Sequence, residues 1–206
     1  MEIKQQILLK AEELFMRYGL KSITMDDLAR ELGISKKTLY QYVDNKADLI
    51  AQIFRFKIEE ERAMMEAFRA NAQDAIDEIL RLARYIVRQL RELSPTVVYD
   101  LQKYYRTTWK EMEALHQKHV YDIIKDNIER GMTQGVYRAD IHPDIIAKLY
   151  VGKTSLVADE DLFPIREYDI TQLFEEYILY HLHGIASPNG LLLLEQHLEE
   201  SKKEIN

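Results

Sequence analysis

The sequence predicts an all-α protein, a small N-terminal three-helix unit followed by a larger helical domain. Three observations predict it. Only 7 Gly and 4 Pro interrupt 206 residues, and the long uninterrupted stretches are rich in Leu, Ala, Glu, Lys, Arg and Gln, the better helix formers. Apolar residues recur at spacings of three and four, the period of one helix face. The few breakers fall where helices need starting or stopping residues. At 47% hydrophobic residues, the chain can bury one large core or two modest ones.

Ile3, Ile7, Ala11, Leu14, Phe15 and Tyr18 make the first helix amphipathic, and Gly19 ends it as a left-handed C-terminal glycine would. Thr24 reads as an N-cap with Asp27 completing a capping box. The second helix, 25–32, turns Met25, Leu28, Ala29 and Leu32 to a core, and Gly33 stops it. Ser35 is placed to cap a third, short helix through Tyr42, and Asp44 or Asn45 to start a fourth. That fourth helix, 45–68, meets no breaker before Asn71 and connects the N-terminal unit (1–48) to the rest (49–206). Downstream, "AQDAIDEILRLARYIVRQLREL" is helical. "SPTVVYDLQKYYRTTWKEMEALHQKHVYDIIKDNIERGMTQG" follows, with Pro95 in a first-turn position behind Ser94. Pro143 opens "DIIAKLYVGKTSLVAD" in the same manner. A loop around "EDLFPIREYD" precedes "ITQLFEEYILYHLHGI", and "SPNG" separates a last helix, "LLLLEQHLEESKKE". Nine or ten helices are expected, with no fixed-period repeat.

Two helices joined at a glycine, the second short and polar outside, make a helix-turn-helix. Ala29 is small enough for a close helix crossing, and Gly33 can take the left-handed turn conformation. Leu39 falls on the inner face with Ile34 and Tyr42 near it, leaving Ser35, Lys36, Lys37, Thr38, Tyr40 and Gln41 outward. Lysines neutralise phosphates, hydroxyls hydrogen-bond them, and Gln or Lys can read base edges in the major groove. The overall charge of −7 argues against a general polyanion binder, but it is unevenly spread. Residues 1–49 carry eight basic and eight acidic side chains, and residues 33–46 carry three lysines against Asp44 alone. Such a chain approaches a phosphate backbone through one face only.

From Ile3 to Ala51 the sequence resembles the TetR family of transcriptional regulators. The resemblance is carried by Phe15, Tyr18-Gly19, Thr24, Asp27-Leu28-Ala29, Gly33-Ile34-Ser35, Thr38-Leu39-Tyr40, Tyr42, Lys46 and Leu49. Lys37, where many relatives have a small residue or glycine, and Val43, where Phe is usual, depart from the pattern. The resemblance implies an N-terminal DNA-binding unit and a helical C-terminal domain that dimerises and usually binds a small molecule. It implies phosphate contacts from Thr24, Ser35, Tyr42 and Lys46, with Lys36, Lys37, Thr38, Tyr40 and Gln41 in or beside the major groove. The expected function is a sequence-specific regulator binding a double-stranded DNA operator, a repressor released by an unknown small-molecule effector. The alternative is a DNA-binding dimer without an effector, acting through a protein partner or architecturally.

A homodimer is expected because one short helix touches few base pairs, whereas two related by a twofold axis read two half-sites. Apolar faces in two late helices, with Ile146, Leu149 and Tyr150 in one and Phe174, Tyr177 and Ile178 in the next, are the candidate interface. An aromatic middle region suggests a ligand cavity lined by Tyr85, Tyr104, Tyr105, Trp109, Met112 and His116, although an aromatic stripe can equally be core. His116 and His119 share a helix face but have no third ligand at a telling spacing, and His181 and His183 point apart, so no metal site is expected. With no Cys, disulfides and thiolate sites are excluded. The absence of a phosphate-binding glycine loop, a GxSxG elbow or a nucleophile–base pair argues against an enzyme and against a cofactor. No run is long and apolar enough for a signal peptide or a membrane span, and a cytoplasmic location is expected.

Overall fold

Ile7, Ala11, Leu14 and Phe15 line the buried face of α1 (Ile3–Tyr18), as their spacing requires. The computed structural model describes residues 2–92, 94–157, 159, 161–164 and 166–205. Among them nine more helices follow: α2 (Met25–Glu31), α3 (Lys36–Leu39), α4 (Lys46–Asn71), α5 (Ala75–Glu92), α6 (Pro95–Tyr104), α7 (Arg106–Thr133), α8 (Pro143–Val157), α9 (Ile170–Ile185) and α10 (Pro188–Ile205). The all-α expectation holds, with only an isolated bridge between Tyr137 and Ala186 outside the helices. Leu93, Ala158, and Glu160 and Ile165 of the expected loop lie outside the described residues.

Local chemistry explains most helix ends. Asn45 caps α4 by accepting from the Asp48 amide at 3.0 Å, and Asp48 returns the bond to the Asp44 amide at 2.9 Å. Asp74 caps α5 through the Ile76 and Asp77 amides, and Asp169 caps α9 through those of Thr171 and Gln172. Three expectations are corrected. The segment after Ser94 is two helices, because the backbone leaves helical geometry at Tyr105 (φ −125°, ψ 44°). The last helix begins at Pro188 instead of after "SPNG", because Ser187 caps it by accepting from the Gly190 amide and proline suits the first turn. Gly19 does end α1, but with φ +82° and ψ 155°, not the left-handed helical pair.

Packing groups the chain into two units, Met1–Ala63 with Glu92–His116, and Met64–Arg91 with Gln117–Asn206. α4 and α7 each contribute to both, and the expected boundary at 48/49 falls inside α4. The first unit is centred on Leu28, Leu39 and Leu49, all fully buried. Val97 and Leu101 of α6 and Met112 of α7 join that core, so the helix-turn-helix packs with segments expected in the second domain.

The second unit is centred on Ile76, Ile79, Ile124, Ile128 and Leu182. Tyr137 lies flat against Gly131, where an added Cβ would stand 2.1 Å from the ring. Its hydroxyl donates to Asn127 Oδ1 at 2.9 Å and is 3.1 Å from the Ala75 carbonyl. Burial pushes the Tyr137 phenol well above its ordinary pKa, reinforced by the Glu78 and Asp74 charges, so it stays a neutral donor.

Candidate nucleic-acid interface

The turn between α2 and α3 is built from backbone bonds that follow directly from its glycine. The Ile34 amide reaches the Ala29 carbonyl at 3.0 Å and the Gly33 amide reaches that of Arg30 at 3.1 Å, with Gly33 at φ +66°. This is the doubly bonded glycine stop that satisfies the last carbonyls of a helix. At the other end of α2, the Thr24 side chain accepts from the Asp27 amide at 3.1 Å, and Asp27 accepts from the Thr24 amide at 3.0 Å. The Thr24 hydroxyl also donates to Asp27 Oδ2 at 2.6 Å. These bonds from Thr24, joined by the Arg30 guanidinium, hold the Asp27 carboxyl below its usual range.

Ser35 caps α3 by accepting from the Thr38 amide at 3.0 Å, and the two hydroxyls stand 2.8 Å apart. α3 is shorter than expected: bonding changes from i→i−4 at Tyr40 to i→i−3 at Gln41 and Tyr42, so a tighter turn replaces its last residues. Leu39 is completely buried, and Lys37, Tyr40 and Gln41 are exposed, with Thr38 half-buried. Tyr42 packs on the first-unit core, and its carbonyl accepts from Gln52 Nε2 at 3.1 Å.

The three lysines of this stretch have different surroundings. Lys36 Nζ is 2.8 Å from Asp26 Oδ1, and this hydrogen-bonded ion pair raises its pKa. Lys37 has no ion pair among the described residues. The ammonium of Lys46 is turned inward, donating to the Leu20 and Ile23 carbonyls and lying 5.3 Å from the Phe15 ring centroid. Burial lowers its pKa against the opposing pull of Asp100 and Asp27. Lys46, of which the resemblance implies a phosphate contact, here tethers the α1–α2 connection to the start of α4.

Sequence reasoning missed Asp26, Gln52 and Asp100. Asp100 is buried on α6 and accepts from the Lys21 amide at 3.1 Å, fastening α6 to the connection before α2. A signal existed: Asp100 shares the inward face of α6 with Val97 and Leu101, three residues before it and one after. Asp26 and Gln52 carried no comparable sign.

The six residues expected to line a ligand cavity divide between the two units. Tyr85 belongs to the second unit and meets Phe68 edge-on at 6.1 Å. Tyr104 is exposed, with Lys21 Nζ 4.3 Å above its ring, and Tyr105 is half-buried. Trp109 lines an open hollow of about 510 Å³ with Arg106 and Lys110, whereas Met112 lines a separate apolar cavity of about 120 Å³. His116 is exposed. The helix break at Tyr105 separates side chains that one continuous helix would have stacked.

The expected dimer residues divide in a similar way. Tyr150, Phe174, Tyr177 and Ile178 are buried in the second unit's own core, where the Tyr177 hydroxyl donates to the Tyr150 carbonyl at 2.7 Å. Leu149 is 52% exposed and Ile146 half-buried. The stripe chosen on α9 is its core-facing one, and the outward face carries Tyr180, 68% exposed. Leu149 and Tyr180 share a surface groove of about 390 Å³ with Lys153 and His181. Burial, with help from Lys153, pulls His181 down to about 4, which leaves it neutral near pH 7.

Comparison with known proteins agrees with this geometry. Residues 7–53 match the family model described as bacterial regulatory proteins, tetR family. Over 185 residues the chain is 24% identical to the uncharacterised HTH-type transcriptional regulator YvaF of Bacillus subtilis, covering 89% of this chain and 95% of that protein. It is 22% identical over 198 residues to the HTH-type transcriptional repressor KstR2 of Rhodococcus jostii, covering 87% and 89%. The fold matches the crystal structure of a transcriptional regulator from Cytophaga hutchinsonii with a TM-score of 0.75 at 18% identity, over 89% of this chain and 98% of that one. These relatives are regulators and not enzymes, and no helix among the described residues is long and apolar enough to cross a membrane. A capped helix-turn-helix, the family match over it and the whole-chain relatives lead to one statement: residues 7–53 carry the helix-turn-helix of the tetR family of bacterial regulatory proteins, and most of the chain is similar to HTH-type transcriptional regulators.

Proposed function

We propose that the protein is a cytoplasmic repressor that binds an operator as a homodimer and releases it when a small molecule binds. The observation that carries the DNA-reading part is Lys37, exposed and free of an ion pair among the described residues, beside exposed Tyr40 and Gln41 on a turn held rigid at both ends. Pre-formed caps mean that little ordering entropy is lost when this turn enters a groove. Thr24, Ser35, Lys36, Thr38 and Tyr42 flank it and supply phosphate or groove contacts. KstR2, 22% identical to this chain, is a repressor, which supports the sign of regulation.

The homodimer reading rests on the outward faces of α8 and α9, where Ile145, Leu149, Leu156 and Tyr180 are each at least half exposed. Apolar side chains grouped on neighbouring helices suit an isologous contact. Effector binding would favour a spacing of the two reading turns that no longer matches successive major grooves, shifting the population only by its differential affinity for the two states.

The test is fluorescence anisotropy with DNA flanking the protein's own gene, at two salt concentrations and with random competitor. Lys37→Ala removes one lysine from each protomer and is expected to weaken operator binding at least about tenfold and to lower the salt slope by about 2. Lys36→Ala is expected to do less, because Asp26 already neutralises Lys36. Equal losses from the two substitutions would remove Lys37 from its special place. The scatter of the six expected cavity residues favours a second reading, a DNA-binding dimer that needs no effector; operator affinity unmoved by a broad small-molecule panel would select it.

A further inference from the structure

The first unit contains an apolar cavity of about 120 Å³, walled by α1, α4, α6 and α7. Phe15, Met16, Ile53, Phe54, Leu101 and Met112 are among its lining residues. Its two charged lining residues, Glu12 and Lys57, are paired at 3.1 Å, with side chains 27% and 40% exposed, so they stand on its solvent side. Lys57 also lies 3.3 Å from Glu60. Partial burial pulls the Lys57 ammonium down, but the two carboxylates outweigh it and hold its pKa above the ordinary lysine value.

We propose that this cavity is a binding site for one neutral molecule the size of a single aromatic ring. A dry apolar cavity of about 150 Å³ accommodates benzene, and the space here is slightly smaller. The space is open on the side of Glu12 and Lys57; left empty, its apolar walls forfeit dispersion contacts that a flat ring restores. Two of the walls are methionines, whose unbranched, polarisable side chains adjust to an occupant and favour aromatic partners. The polar edge carries one ammonium against two carboxylates, which disfavours an anion and leaves a carboxylate to accept from a ring hydroxyl. An occupant presses on α1 and on α6, the helix that Asp100 fastens to the connection before α2. That regulatory consequence rests on the effector reading above; the site itself does not.

The test uses the full chain labelled at its methionine methyls and titrated with toluene, followed by NMR in the absence of DNA. Met16→Leu and Met112→Leu assign the two reporters. The Met16 and Met112 signals are expected to move together along one saturating curve while those of Met25, Met64 and Met132 stay in place, and benzoate is expected to leave all of them unmoved. Val97 also lines the cavity, so Val97→Phe should abolish the response and the milder Val97→Ile should weaken toluene binding at least about fivefold, since filling a packed space excludes the ligand. The absence of a saturable shift at either reporter up to the solubility of toluene would overturn the proposal, as would a shift unaffected by both fillings. Operator binding is measured separately on the same sample. Its failure alongside saturable methyl shifts counts against the regulator reading only, and intact operator binding with silent methyls counts against the site only.

Discussion

Gly131→Ala is expected to destabilise the second unit by roughly 1–5 kcal/mol, although alanine normally improves a helix interior by about 1 kcal/mol. The new Cβ would stand 2.1 Å and 2.3 Å from two ring carbons of Tyr137. That ring is only 2% exposed and is held by Asn127 and the Ala75 carbonyl, so it cannot swing aside at small cost. Overpacking of this kind costs about 1–3 kcal/mol, and a displaced hydroxyl leaves buried partners unpaired for about 1–3 more. The propensity gain is smaller than either contribution. Urea unfolding measures the loss, and a double-mutant cycle with Tyr137→Ala isolates the pair: in the background lacking the ring, Gly131→Ala should stabilise by up to about 1 kcal/mol. A native-like urea midpoint for Gly131→Ala alone would show that the ring has somewhere to go.

The second large effect concerns assembly. Leu149→Glu combined with Tyr180→Glu is expected to convert the dimer to a monomer and to lower operator affinity by at least about 100-fold, because a lone reading turn loses the effective concentration provided by its partner. Both side chains are exposed in the single chain, at 52% and 68%, so charging them leaves the monomer's core intact. Leu192→Glu is the control: Leu192 is 61% exposed on α10, away from the α8–α9 face, and its substitution should leave the dimer unchanged. Sedimentation gives the mass and anisotropy the affinity. A double variant that still sediments as a dimer would send the interface elsewhere.

The limits of sequence reading are visible in particular residues. The Thr24 cap, the Gly33 stop and the Ser35 cap were each legible, because each bond spans only three to five residues. Burial of Leu28 and Leu39 followed from helical period in the same way. The second serine–proline start, at Ser187, has the same pattern as Ser94, yet within "SPNG" it reads as a separator. On α9 the period located a stripe correctly as apolar, yet period alone cannot say whether a stripe meets its own core or a second copy.

By itself, then, the sequence determined the helical class, the helix-turn-helix with its caps, and the resemblance to a family of DNA-binding regulators, since all of these rest on interactions between near neighbours or on residue identity. Only the tertiary structure decided that Lys36 is engaged by Asp26 while Lys37 is not, that Lys46 turns inward to Leu20 and Ile23, and that Asp100 binds the Lys21 amide. It alone also put Trp109 and Met112 against different hollows and left a ring-sized cavity beside Met16. Those outcomes depend on where one helix lies against another, and a contact between residues 79 positions apart leaves no mark in the spacing of either neighbourhood.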